Sequence, residues 1–393
     1  MPASPIRKLA PYADAAKARG IEVLHLNIGQ PDVPSPDTFW KAIAEHGLKT
    51  LEYSPSNGLA ALRNKASESY CKRGMQVTAD QIIVTSSGSE ALSFAIGVIC
   101  DQDDEVIVPE PMYANYIGFG AYFGVKVVPI TTRIEDGFAL PPAEAFDQVV
   151  TPRTRAIIIC NPNNPTGTVY GRAELEALAA VARKHDLFII ADEVYRDFNY
   201  TGRPIPSMLE LPGLDDRMIM TDSVSKRYSL CGARIGFLVS RNAEFNAAAL
   251  RFAQARLSPP TLESIGVIGA FDTPESYFDS MRTEYMARRD VVVSSIRAIP
   301  GAACPDISGA FYATVRLPVD DGDRFCQWML ESYTLDGRTV MLAPASGFYA
   351  TAGAGKDEVR IAYVLNCEKL NLAMDVLEGA LAAYPGRLVA QGA

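Results

Sequence analysis

An α/β fold is what this sequence predicts: a large domain whose mostly parallel sheet is covered by helices, with a second, smaller α+β domain. Three observations carry that expectation. Short β-branched runs recur through the middle of the chain. They are apolar nearly throughout instead of alternating, and helical patterns separate several of them. Strands buried on both faces read this way, and strand–helix alternation covers both faces of a parallel sheet.

The expected strands are residues 82–85, 105–108, 125–130, 156–160, 187–191 and 217–220. Helices are expected over residues 89–100 and 171–185, the second with Leu175, Leu178, Val181 and Ala182 on one face. Beyond about Phe271 the texture changes. A charged helical stretch over 275–297 leads to a run at 311–315, a helix from Asp323 and a run at 358–363, which reads as the smaller domain. The Pro-rich start of the chain is expected to pack against it. The division expected is residues 1–45 as that N-terminal segment, 46–280 as the large domain and 281–393 as the small one.

The chain has 393 residues, of which 48% are hydrophobic and 21% charged, the balance of an ordinary globular protein. A net charge of −9 argues against nucleic acid or an anionic membrane as the main partner. The first 20 residues hold no apolar core of leader length, and no apolar run is long enough to span a bilayer. Seven cysteines without close pairing point to free thiols in a reducing, cytoplasmic setting, and no Cys/His cluster points to a metal. None of the three histidines sits in a motif, so acid–base work is expected from another group.

Ligands of parallel sheets gather at the carboxyl ends of the strands, and the chemistry-bearing residues fall there repeatedly. Ser86-Ser87-Gly88-Ser89-Glu90 follows the first strand and opens a helix, whose free N–H groups suit a phosphate; Ser89 alone reads more simply as an N-cap. Asn161-Pro162-Asn163-Asn164-Pro165-Thr166-Gly167 follows the fourth and has the composition of a turn. Asp192-Glu193-Val194-Tyr195 follows the fifth, where a buried carboxylate needs a cationic partner. Ser223-Val224-Ser225-Lys226 and Arg234 follow the sixth. A lysine there can hold an aldehyde as a Schiff base, and the hydroxyls and arginine can hold a phosphate. Pyridoxal 5'-phosphate carries both groups. Taken singly, each segment also reads as a loop or cap; their co-occurrence in this order is far more specific.

In Asn164-Pro165-Thr166-Gly167, Asp192-x-x-Tyr195, Ser223-x-Ser225-Lys226 and Gly232-x-Arg234-x-Gly236 the chain resembles the class I aminotransferases of pyridoxal-phosphate fold type I, nearest to the bacterial aspartate aminotransferase-like branch. The resemblance runs from Asn27-Ile28-Gly29-Gln30 to Val359-Arg360-Ile361. It implies a seven-stranded sheet, a smaller domain built from both termini, and a homodimer with shared active sites. It implies that Lys226 holds the cofactor and moves the proton, that Asp192 pairs with the pyridine nitrogen, and that Tyr195 and Asn164 meet the phenolic oxygen. Tyr113 would stack on the ring. Ser89, Glu90, Ser223, Ser225 and Arg234 would hold the phosphate, helped by Tyr53 of the other subunit. Arg360, with Gly29 and Asn164 beside it, would grip the α-carboxylate of the substrate. The implied reaction is a ping-pong transfer of an amino group, from aspartate as first choice, to a 2-oxo acid such as 2-oxoglutarate.

One position departs from the pattern. Ser89 stands where part of the aspartate-specific branch carries lysine, so a second substrate carboxylate needs another cation, with Arg7 and Lys8 as candidates. Other readings on the same scaffold are an aminotransferase of broader or biosynthetic specificity, a β-lyase, a cofactor-sensing regulator and a non-catalytic binding module.

Overall fold

The computed structural model describes residues 7–388. Its centre is a seven-stranded sheet of β2 (Ile82–Thr85), β3 (Glu105–Glu110), β4 (Lys126–Thr131), β5 (Thr154–Cys160), β6 (Phe188–Asp192), β7 (Met218–Ser223) and β8 (Gly236–Ser240), after a first strand, β1 (Glu22–His25). The order across the sheet is β2-β8-β7-β6-β5-β3-β4. Strand β8 runs antiparallel to both neighbours, and the other pairings are parallel. All residues of β3, β7 and β8 are buried, as in strands covered on both faces. The edge strand β4 is partly exposed and carries Pro129, whose missing N–H costs least at a sheet edge.

Helices pack on the sheet through narrow apolar stripes. Helix Arg172–His185 buries Leu175, Leu178, Ala179, Val181 and Ala182, close to the face read from the sequence. Each buried leucine contributes about 1.5–3 kcal/mol. Three more elements, β9 (Tyr312–Arg316), β11 (Ala343–Pro344) and β12 (Glu358–Ala362), form an antiparallel sheet in the order β11-β12-β9. The remaining strand, β10 (Arg338–Met341), pairs in parallel with β1, so both ends of the chain share one small sheet. Helix Asp37–Ala44 packs instead on helix Thr261–Ala270, where Gly266 and Gly269 let it approach closely.

The sequence reading placed six of the seven central strands and missed β8, whose opening residues were read only as a binding motif. Those residues are also structural. A Cβ on Gly236 would lie 2.4 Å from Ser87 C and 2.6 Å from Gly88 N, so glycine lets β8 close against the loop after β2. A Cβ on Gly232 would meet nothing within 4 Å. Gly236→Ala is therefore expected to destabilise by about 1–3 kcal/mol, read as a lower thermal midpoint, with Gly232→Ala close to wild type. Equal midpoints for the two variants would contradict this packing.

Candidate active site

Sheet register brings the sequence motifs to one end of the molecule. Cys160, Asp192 and Thr221 are neighbours across β5, β6 and β7, while Thr85 and Ser223 both pair with Gly236. Because β8 is antiparallel, its first residues meet the last residues of β2 and β7. Arg234 thereby reaches the same end as Lys226. A cleft of about 620 Å³ opens there. Arg7, Lys226, Arg234 and Arg360 line it, and Asp192 is the one carboxylate that does so among the described residues.

One wall is built to receive an anion. Helix Gly88–Ile99 starts here, and its cap is Ser87, not Ser89, with φ at +87°. The Ser87 hydroxyl is buried without a hydrogen-bond partner. The N–H groups of Gly88, Ser89 and Glu90 belong to the first turn, which has no acceptor within the helix. The side chain of Glu90 turns away from the cleft: its Oε2 accepts from Ser86 N at 2.7 Å and from Arg256 Nη1 at 2.8 Å. Opposite, Ser223 Oγ caps the short helix Val224–Arg227 by accepting from Ser225 N at 3.1 Å and lies 2.9 Å from Ser225 Oγ. Arg234 is exposed, adopts a left-handed backbone at φ +55°, and donates from Nη1 to Cys231 O at 2.8 Å.

Asp192 ends β6 in the middle of the sheet and is 4% exposed. Its Oδ2 accepts from Tyr116 Oη at 2.8 Å, while Oδ1 is buried with no partner. Burial pushes the carboxyl up to about 6, against the pull of the Tyr116 hydrogen bond. Next to it, Tyr195 Oη accepts from Asn164 Nδ2 at 3.3 Å and lies 3.0 Å from Tyr312 Oη. Tyr113 lines the cleft, meets Tyr116 edge-on at 5.5 Å, and accepts from Asn115 Nδ2 at 2.7 Å.

Lys226 Nζ donates to Gly29 O at 2.9 Å and sits 5.9 Å from the Tyr195 ring centre. Burial lowers its affinity for a proton, and the charges of Arg360 and Arg234 act in the same direction, with Cys231 and Asp192 opposing. Arg360 is 1% exposed. It donates from Nη1 to Asn164 Oδ1 at 3.1 Å and from Nη2 to Asn27 O at 2.5 Å, and its Nε has no partner. The guanidinium lies between the rings of Tyr312 at 4.5 Å and Phe348 at 4.8 Å. No carboxylate pairs with it among the described residues.

Most residues singled out from the sequence therefore meet in one cleft. Tyr53 does not: it is 81% exposed and outside the cleft of its own chain. The sequence reading missed Ser87, Tyr116 and Tyr312. Tyr312 touches both sides of the site, and its hydroxyl lies 1.7 Å from where a Cβ on Gly29 would stand, so glycine is required there. Tyr116 could have been noticed as the next aromatic after Tyr113, one helical turn on.

These groups fit pyridoxal phosphate. Unpartnered Ser87 Oγ and the helix N-terminus suit the phosphate, and unpartnered Asp192 Oδ1 suits a protonated ring nitrogen. Known proteins point the same way. The model of the aminotransferase class I and II family matches residues 21–377. Aspartate aminotransferase of Bacillus subtilis (strain 168) is 30% identical over 373 residues, 92% of each chain. Aromatic-amino-acid aminotransferase 2 of Thermococcus litoralis is 33% identical over 391 residues, 96% of this chain and 95% of that one. The solved aspartate aminotransferase of Thermotoga maritima superposes with a TM-score of 0.89 at 28% identity, covering 97% of this chain and 98% of that one. The chain belongs to the class I and II aminotransferases, enzymes that use pyridoxal 5'-phosphate.

Proposed function

We propose that this aminotransferase moves the α-amino group of a small amino acid, aspartate as first choice, to a 2-oxo acid such as 2-oxoglutarate. The observation that carries the reading is Arg360. A buried guanidinium without a carboxylate partner is costly, and its open cleft beside Lys226 invites the α-carboxylate of a substrate. Aspartate is supported by the relatives from Bacillus subtilis and Thermotoga maritima; the Thermococcus litoralis relative favours an aromatic donor instead.

The bound cofactor supplies an aldehyde and, with its ring nitrogen protonated, a sink for the electron pair left when the Cα proton departs. Asp192 holds that proton on the ring nitrogen through its free Oδ1, and Tyr116 fixes the carboxylate. Lys226 Nζ, whose hold on a proton is weakened by burial and by the flanking guanidiniums, would hold the cofactor through its aldehyde and would take the Cα proton of the substrate. Asn164 and Tyr195 steady the phenolic oxygen, and Tyr113 covers the ring. Gly88, Ser89 and Glu90 offer backbone N–H groups to the phosphate, with Ser223, Ser225 and Arg234 completing its shell. Arg360 orients the substrate, with Asn164 and the Gly29 backbone beside it.

The same reading pairs two chains in a homodimer, with Tyr53 of each reaching the other's phosphate; its exposure, beside exposed Leu48 and Leu51, supports this. It also divides the chain near residues 45 and 280; the pairing of β1 with β10 supports this for the first part of the N-terminal segment, whereas helix Asp37–Ala44 packs on the large domain.

A donor screen with 2-oxoglutarate tests the function. One new oxo acid per glutamate is expected, and Lys226→Ala should end multiple turnover; ammonia released without acceptor would make the enzyme a lyase. Arg360→Lys is expected to lower kcat/KM for the donor about 10- to 100-fold, mainly through KM, because lysine cannot offer the fork; unchanged kinetics would remove Arg360 from the substrate. Asp192 makes a prediction about stability. Its folded carboxyl titrates near 6 and its unfolded one near 4, so the favourable protonated form is fully present below pH 4 and is lost as pH rises through 6. Ionised Asp192 thus costs the cofactor-free fold about 3 kcal/mol. Asp192→Asn should raise the melting temperature of the cofactor-free chain at pH 8, change it little at pH 4, and lose activity. A lower midpoint at pH 8 would contradict the unpaired carboxylate.

A further inference from the structure

The lining of the cleft holds more positive charge than the cofactor and an α-carboxylate account for. Of its four basic side chains, Lys226 serves the aldehyde, Arg234 the phosphate and Arg360 the α-carboxylate, which leaves Arg7. Apart from Asp192, the rest of the lining, including Gln30, Ser89 and Asn115, is uncharged.

The neighbours of Arg7 hold it in place. Lys8 is committed elsewhere: its Nζ pairs with Asp323, whose Oδ2 accepts from Ser346 Oγ at 2.5 Å. Leu9 is 4% exposed and packed in the core, and Ala10 N donates to Arg7 O at 3.0 Å as helix Ala10–Ala18 begins. The segment is thus pinned on both the charged and the apolar side. The guanidinium of Arg7 makes no ion pair among the described residues. Its charge nevertheless reaches the ring that walls the substrate space: burial pushes the Tyr113 phenol up to about 12, with Arg360, Arg234 and Arg7 opposing.

We propose that Arg7 reads a second carboxylate on the substrate, so that the enzyme's donors and acceptors are dicarboxylic. Arg7 is exposed at the mouth of the cleft, so an apolar or aromatic side chain gains nothing from it, whereas a carboxylate gains a two-point hydrogen-bonded contact. The anion reader then comes from the start of the chain, in place of the position held by Ser89. This inference rests on the proposed role of Arg360 as the clamp on the first carboxylate.

Two measurements on the cofactor-loaded enzyme and its Arg7→Gln variant test it. The first follows the donor half-reaction by cofactor absorbance without acceptor, for aspartate, glutamate, alanine and phenylalanine. The second measures the binding of succinate and of butyrate by calorimetry. Arg7→Gln is expected to lower the half-reaction kcat/KM for aspartate and glutamate about 10-fold or more, with alanine and phenylalanine within about twofold. Succinate binding should weaken to a similar extent and butyrate binding should not. Arg7→Lys should restore part of the loss. An equal loss for alanine and aspartate, or no loss for either, overturns the proposal. If no amino acid drives the half-reaction in the unsubstituted enzyme, the transamination reading fails instead, while succinate binding still reports on Arg7.

Discussion

The buried carboxylate of Asp192 is the constraint around which the site is organised. It ends a central strand where water is excluded, and one of its oxygens is left open. A folded chain keeps such a group only where a ligand makes use of it. Three other strand ends supply the complementary groups at fixed register: Asn164 beyond β5 and Lys226 beyond β7, the two strands flanking β6, and the helix N-terminus beyond β2. The sheet sets these positions, so loops need only carry side chains the last few ångströms.

Charge balance explains why Lys226 and Arg227, adjacent in sequence, behave oppositely. Arg227 points into the core between Asp222 and Asp197; Arg73 joins Asp197 at 2.9 Å and Tyr70 donates to Asp222 at 2.7 Å. Burial would raise Asp197, but Arg73 and Arg227 more than offset it and hold the carboxyl at about 2. This cluster is paired internally and anchors the helix Val224–Arg227 from below. Lys226, one residue earlier on the same helix, faces the cleft, where burial and the guanidiniums of Arg360 and Arg234 outweigh Cys231 and Asp192 and favour the neutral amine. A short rigid helix thus separates a structural cation from a reactive amine.

Much of this was legible in the sequence because its signals are local. Apolar runs at 82–85, 156–160 and 187–191 report burial on both faces wherever they sit, and Asp192 or Lys226 directly after a strand inherits a place from it. What the sequence concealed depends on distant pairings. Gly236-Phe237-Leu238 reads as the tail of a motif until β2 and β7 flank it. The direction of Glu90 depends on Arg256, 166 residues away. Tyr312 enters the site only because β9 brings it against Gly29 and Arg360. Ser87 became the cap in place of Ser89 through a left-handed backbone that no propensity for serine foretells.

The claim that Asp192 keeps an ionised partner is tested most directly by ¹⁵N NMR of the enzyme loaded with ring-¹⁵N-labelled pyridoxal phosphate. The ring nitrogen is expected to stay protonated from about pH 6 to pH 9, well above its range in water, and to lose the proton in Asp192→Ala. An unprotonated nitrogen at pH 7 in the unsubstituted enzyme would contradict it.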